Sequence, residues 1–271
     1  MAESRGRESL PLRWRLLRDP PAGAARNMAV DEALARCRAE GVGVLRIYRW
    51  ARPSVSFGRN QSARRIYDPD AFGPLGADVV RRPTGGREVL HDRELTYSLV
   101  LPLRTPGGLR EVYRLVNAAL VEALASLGIG GATLAVPQGR TPSPDAGACF
   151  RQPAAGEVVV AGRKVAGSAQ VRMGDTLLQH GSLLLAPSTL SLAALVRDAL
   201  PAELAPEQEG ITVEELSGGP VSFPRVAAAV AAALAGSLGG RWARDGLTSE
   251  ESDRGRELEE RYRSPEWIWR R

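Results

Sequence analysis

Apolar residues recur along the chain in two rhythms, and each change of rhythm marks the border of a strand or a helix. Val112, Val116, Ala119, Leu120, Ala123, Leu124 and Leu127 fall three or four positions apart. Residues 109–127 are therefore predicted to form an amphipathic helix ended by Gly128. The same spacing in Val30, Ala33, Leu34 and Cys37 predicts a helix over residues 27–40, with Cys37 on the apolar stripe as an inert core thiol. Residues 10–17 alternate loosely, as an edge strand would, ahead of the turn-like DPPAGAA. Strands are expected at 44–50 and 54–58, then a loop punctuated by Pro and Gly at 68–77. A short strand at 78–82 runs into a glycine turn, and another at 95–101 leaves it. Residues 137–147, rich in Pro and Gly, read as loop. Three strands at 157–161, 164–171 and 176–185 form a meander with hairpin-like connections AGR and RMGD. The tail is predicted helical at 190–200, 223–238 and 249–262.

These elements predict an α/β (α+β) fold in which helices flank a mixed β-sheet. No internal repeat or linker interrupts the pattern. One domain is expected over 1–271, with a core of about 27–200 and a helical C-terminal part of about 201–271.

Composition narrows the class. An apolar fraction of 44% with 25% charged residues is ordinary for a soluble globular protein. Two cysteines give no disulfide framework, so free thiols in a reducing cytoplasm are expected. The first residues, MAESRGRESLPLRWRLL, carry charges throughout and show no apolar secretory segment. The apolar run 226–238 is shorter than the ~20 residues of a membrane span. The net charge of +5 and pI of about 9.7 favour acidic partners. Arginines are spread without a dense basic block, which favours an acidic protein over nucleic acid. All but one of the 36 basic residues are Arg, and the single Lys, Lys164, hints at a place for a compact ammonium rather than a guanidinium fork.

The residues able to do nucleophilic or acid–base chemistry near neutral pH crowd into two segments. One is CFRQPAAGEVVVAGRKVAGSAQVRMGDTLLQHGS, residues 149–182, with Cys149, Lys164 and His180; the other is RRPTGGREVLHDRELTYS, residues 81–98, with His91. Cys149 ends the Pro/Gly-rich loop, and a nearby cation such as Lys164 would make its thiolate available as a nucleophile. A half-buried structural cysteine is the competing reading. His180 lies within a strand, where a satisfied core histidine is the bland alternative to a catalytic one. No Asp or second Cys stands at metal-ligand spacing, and no nucleophile-elbow motif supports a serine triad. In RPTGGRE two glycines let backbone N–H groups approach a ligand, but neither a Walker loop nor a GxGxxG fingerprint is present.

Taken together, RRPTGGREVLHDRELTYS, GRKVAGSAQ and LQHGSLLL resemble the lipoate–protein ligase and octanoyltransferase superfamily, and NMAVDEAL and SVSFGRNQ are similar as well. The likeness runs in order from Asn27 to Leu185, and the tail YRSPEWIW also looks like the family's C-terminal end. It implies the biotin/lipoate protein ligase catalytic fold, related to class II aminoacyl-tRNA synthetases. ATP-dependent ligases of this superfamily carry a triple-glycine motif where Arg87 stands here. TGGRxVLHDxELTYS, with ACF ahead of GRKVAGSAQ, is closer to the cysteine-dependent octanoyltransferases.

That branch implies Cys149 as nucleophile and Lys164 as the cation that lowers its pKa and orients the acyl carbonyl. It implies substrate-binding roles for Arg82, Thr84, Gly85, Gly86, Arg87, His91, Gly167, Ser168, Ala169, His180 and Gly181. The implied donor is octanoyl-acyl carrier protein. The acceptor is a lysine of a lipoyl domain, in a glycine cleavage H protein or an E2 subunit. No cofactor, metal, nucleic acid or membrane is expected; ATP and Mg²⁺ enter only under the ligase alternative. An apolar tunnel lined from the 95–101 strand and the 109–127 helix would hold the acyl tail. Glu88 stands where the family commonly has a small residue, and PAAGE lacks the usual aromatic. A cytoplasmic monomer is expected. An amidotransferase between lipoyl proteins and a non-catalytic binding subunit are the remaining alternatives.

Overall fold

A computed structural model describes residues 13–103, 108–136, 153–197 and 210–271. Its centre is an eight-stranded sheet built from β1 (Arg13–Arg18), β2 (Val42–Tyr48), β6 (Glu94–Pro102), β7 (Ala132–Leu134), β8 (Val158–Val160), β9 (Arg163–Met173), β10 (Thr176–Leu184) and β11 (Arg241–Arg244). The order is β11-β1-β2-β6-β10-β9-β8-β7, parallel across β11, β1 and β2 and antiparallel from β2 onward. A second, three-stranded sheet holds β3 (Ser54–Phe57) between β4 (Asp78–Arg81) and β5 (Val89–His91). The sheet is mixed and flanked by helices, as the sequence pattern predicts.

Helices cover both faces. On one, α2 (Gly108–Ser126) packs beside α4 (Phe223–Leu238) over the sheet. The α2 stripe Val112, Val116, Ala119, Leu120, Ala123 and Leu124 is buried there, together with Val226, Val230 and Leu234 of α4. Burying one such Leu or Val side chain contributes roughly 1.5–3 kcal/mol. On the other face α1 (Ala24–Arg36) sets Val30 and Leu34 against Leu17, Val44, Val100 and Leu178. α5 (Ser249–Arg263) lies over α1, capped by a Thr248–Glu251 box. The two helices are tied at Glu32, which accepts from Tyr262 Oη and Arg261 and from Arg36 Nε at 2.7 Å. Between α2 and α4 the chain adds the short α3 (Val213–Ser217), and it ends in α6 (Pro265–Ile268). From α6 the residues Ile268 and Trp269 fill the core under the small sheet, against Phe57 and Phe72.

Several expectations change. β1 is not an edge strand, because β11 pairs outside it and Trp242 stacks on Trp14 with centroids 4.8 Å apart. The strands at 44–50 and 54–58 belong to different sheets. The helix expected at 190–200 is a 3₁₀ turn at Leu192–Leu195, with 198–200 outside the described residues. Cys37 is half-buried at the C-cap of α1 rather than in the core; burial and the Glu250 and Glu251 carboxylates push its thiol pKa up. No helix among the described residues is long and apolar enough to cross a membrane.

Candidate active site

The glycine turn between β4 and β5 is built around one side chain. Arg82 is buried, and its guanidinium donates back into its own loop: Nη2 to Gly85 O and Arg87 O, both at 2.7 Å, and Nε to Thr84 Oγ1 at 3.1 Å. Nη1 donates across to Ser56 O at 2.8 Å and Ser56 Oγ at 3.2 Å on β3. The turn also presses on Gly58 so closely that a Cβ there would sit 1.8 Å from Gly86 O. Gly86 has φ +93°, which only glycine adopts without strain.

From Arg82 two hydrogen-bonded chains run outward, each through a hydroxyl and a histidine to a carboxylate. Thr84 Oγ1 meets His180 Nε2 at 2.7 Å, and His180 Nδ1 meets Asp31 Oδ2 at 3.2 Å. Ser56 Oγ meets His91 Nε2 at 2.7 Å, and His91 Nδ1 meets Glu94 Oε1 at 2.8 Å. Asp31 also accepts from Arg46 Nη1 and Ser98 Oγ, both at 2.8 Å, and from Tyr48 Oη at 2.9 Å. Glu94 Oε1 accepts from Ser182 Oγ at 2.7 Å, and Trp50 stacks on the His91 ring at 4.0 Å. Burial pushes the Asp31 carboxyl up, but the bond from His180, the Arg46 guanidinium and Ser98 outweigh it and hold it below the usual range. Burial pushes His180 down past the pull of Asp31, so its imidazole is neutral near pH 7. Both ring nitrogens of both histidines are engaged by the protein. Each ring is thus held between a hydroxyl and a carboxylate, the arrangement of a satisfied core histidine.

The opposite wall carries a different charge arrangement. Lys164 Nζ is fully buried and donates to Glu157 Oε1 at 2.7 Å. A bulge sets Val158 opposite Ala166 but Val159 opposite Lys164, leaving Val165 as the extra residue and re-aiming the β9 side chains around it. Glu157 is itself fixed: Oε2 accepts from the Ala154 N–H at 2.7 Å, and its backbone closes on Ala154 O at 3.1 Å and on Ala135 at 2.8 Å.

These walls enclose a cavity of about 380 Å³. Its apolar surface comes from Met28, Tyr48, Trp50, Val89 and Tyr113. Gly181 lets β10 and β9 approach closely beside the cavity, since a Cβ there would lie 2.6 Å from Gly167 O and 2.8 Å from the Tyr97 ring. The tunnel expected from the 95–101 strand and the long helix is met only by Thr96 and Tyr113, because Leu95, Tyr97, Leu99 and Leu101 alternate to the other face, into the core under α2.

Of the residues expected at the site, Arg82, Gly86, Arg87 and His91 meet on this cavity with Gly167, Ser168, Ala169, His180 and Gly181. Thr84 and Gly85 stand behind it as partners of His180 and Arg82. Lys164 is one layer back, reached through Glu157, which does line the cavity. Cys149 lies outside the described residues. Glu88 turns away from the cavity to Gln61, so its departure from the family pattern falls behind the turn. The residues that sequence reasoning missed are Asp31, Glu94 and Glu157. Asp31 stands four positions after Asn27 on a helix whose neighbours are apolar, and that pairing of buried polar positions was the available signal. Among the described residues no group of three or more His, Cys, Asp or Glu side chains is placed to hold a metal ion.

Fold and site together define a lipoyl-ligase type of catalytic domain. Residues 23–235 match the lipoyl protein ligase A/B catalytic domain, and the chain belongs to that family. Curated relatives narrow the branch. The octanoyltransferase LipM of Kyrpidia tusciae is 41% identical, over 95% of this chain and 99% of its own. That of Symbiobacterium thermophilum is 39% identical, over 95% and 98%. Among solved structures, the bipartite lipoate protein ligase of Thermoplasma acidophilum is 25% identical and superposes with a TM-score of 0.75, over 95% of this chain and 96% of its own. A lipoate-protein ligase A bound with ATP shares the fold at 24% identity and a TM-score of 0.76, over 95% and 98%.

Proposed function

We propose that this protein is an octanoyltransferase of protein lipoylation, moving an octanoyl group from acyl carrier protein to a lysine of a lipoyl domain through a thioester on Cys149. Near full-length similarity to octanoyltransferases supports the activity. The observation that carries the residue-level reading is the Lys164–Glu157 pair. The only lysine of the chain is buried against a cavity-lining carboxylate, and that carboxylate is locked to Ala154, five residues after Cys149 in the sequence. The cavity of about 380 Å³, with its largely apolar walls, falls in the ~300–1,000 Å³ range of small-molecule sites.

The chemistry needs neither nucleotide nor metal. In the first step the Cys149 thiolate attacks the donor thioester carbonyl; a C–S bond to Cys149 forms, the donor C–S bond breaks, and the donor thiolate leaves with the proton that Cys149 gave up. In the second, the neutral amine of the acceptor lysine attacks; the C–N bond forms, the C–S bond breaks, and the amine's surplus proton returns to Cys149. Lys164 favours the Cys149 thiolate and the negative charge on the carbonyl oxygen in each tetrahedral intermediate. The backbone of the glycine turn lies along the same cavity.

The test is acceptor modification by purified protein given octanoyl-acyl carrier protein and a lipoyl domain, with ATP and Mg²⁺ omitted. Octanoylation of the acceptor under these conditions is expected. Modification that appears only with ATP and a free fatty or lipoic acid would replace this reading with a ligase, and modification between two lipoyl proteins alone would make it an amidotransferase.

A further inference from the structure

A second cavity, about 580 Å³, lies beside the first and differs from it in kind. Six arginines line it, Arg36, Arg38, Arg59, Arg172, Arg254 and Arg261, against only two carboxylates, Glu32 and Asp175. Glu32 is buried and already shared by Arg36, Arg261 and Tyr262. Asp175 pairs with Arg38 at 3.4 Å and accepts from Thr176 Oγ1 at 3.3 Å. Arg254 pairs with Glu257 at 2.8 Å, whereas Arg59 and Arg172 are exposed and form no ion pair among the described residues. Next to them the Trp267 ring lies under two guanidinium groups, Arg270 at 4.0 Å and Arg261 at 4.6 Å. Burial first, and then the neighbouring Arg59, Arg271 and Arg261, push the Arg270 pKa down.

The groove and the acyl cavity share no lining residue but are lined by neighbouring positions of the same segments. Pro83 lines the groove while Arg82, one residue earlier, lines the cavity. On β9, Arg172 lines the groove and Ala169 the cavity. Three residues of strand span roughly 10 Å.

We infer that the arginine groove is the docking face for the acidic surface of the acyl donor's carrier domain. The inference rests on the octanoyltransferase reading. The separation of groove and cavity selects the donor over the acceptor. A carrier that presents its acyl group on a long flexible arm can seat its body on the arginines while the arm crosses to the cavity. An acceptor must bring a lysine amine on a four-carbon stem to the thioester, and so must sit at the cavity itself. Charges at such a rim act on encounter and half-saturation rather than on the chemical step.

The experiment uses the full chain with Arg59→Glu and Arg172→Glu, singly and together, and follows acyl-enzyme formation with two donors. One is octanoyl-acyl carrier protein; the other is the octanoyl thioester of N-acetylcysteamine, which has no phosphate and no protein surface. The double variant is expected to raise the half-saturating concentration of the carrier protein by about tenfold or more, with the maximal rate and the small-thioester reaction unchanged. Added salt should erase most of the difference. An equal loss on both donors, or no loss on the carrier protein, would overturn the inference. So would a full loss with octanoyl-phosphopantetheine, which would assign the groove to the phosphodiester of the arm. Failure of the unsubstituted protein with both donors would remove the octanoyltransferase reading, and the inference with it.

Discussion

The two walls of the acyl cavity hold the same kinds of residue in opposite conditions. On one side His91 and His180 spend every ring nitrogen on Ser56, Glu94, Thr84 and Asp31, and both chains meet at Arg82. On the other, Lys164 is paired with Glu157, whose backbone and second oxygen are anchored at Ala154 and Ala135. The first wall has the residue order of a catalytic relay, with each ring fixed between a hydroxyl and a carboxylate; we read it as scaffold, and substitution of His91 tests that reading. The second has no histidine and holds its cation one layer behind a cavity-lining carboxylate, in a segment that follows Cys149 in the sequence.

Substitutions can break this contrast. The largest effect is expected from Lys164→Ala, which removes the buried cation proposed to favour the developing charge. Acyl-enzyme formation should slow by about 10²–10³-fold, read by rapid quench and mass, while acyl carrier protein still binds. Next is Asp31→Asn on the scaffold wall. It leaves buried Arg46 with Asp19 as its one remaining carboxylate and should lower stability in denaturant unfolding by less than the roughly 3–5 kcal/mol of a fully unpaired buried charge, with the rate per folded molecule nearly kept. Glu157→Gln keeps the shape of the pair but takes the carboxylate from buried Lys164; it should lower stability and, per folded molecule, move the pH dependence of acylation by about one pH unit, a tenfold rate change at fixed pH. If Glu157→Gln left the pH profile of the folded protein alone, the two walls would be alike.

The smallest effect concerns pH. His180 has its pKa lowered in the fold, so the unfolded chain binds its proton first. That contribution to stability is present above the unfolded value of about 6.5 and is lost as pH falls below it. Unfolding free energy followed from pH 8 to 5 should decline through that window, and His180→Gln should flatten the decline. The Asp31 carboxylate, held low, adds its own loss only at more acidic pH.

Much of this architecture was legible from hydrophobic rhythm. α2 and α4 follow a continuous apolar stripe, and β9 and β10 follow a hairpin with a glycine at its turn. Short elements were not. β5, β7 and β11 have three or four residues each and too little pattern to stand out from loop. The split into two sheets was invisible as well, because β3 pairs with β4 and β5 rather than with its chain neighbour β2. At the site, the motifs pointed to the right segments but not to the partners. Asp31 is 149 positions from His180, and Thr84 is 96 from it, separations that no local spacing encodes. Glu157 was hidden for a simpler reason: one carboxylate before a run of valines reads as the first exposed position of a strand.

If the Lys164 wall, and not the histidine wall, serves a covalent acyl intermediate on Cys149, the intermediate must form without His91. Intact-protein mass after mixing with octanoyl-acyl carrier protein, without ATP, decides this beside Cys149→Ala and His91→Asn. A hydroxylamine-labile gain of one octanoyl group is expected on the unsubstituted protein and on folded His91→Asn, and none on Cys149→Ala. A gain that survives in Cys149→Ala, or that His91→Asn abolishes in folded protein, would contradict it.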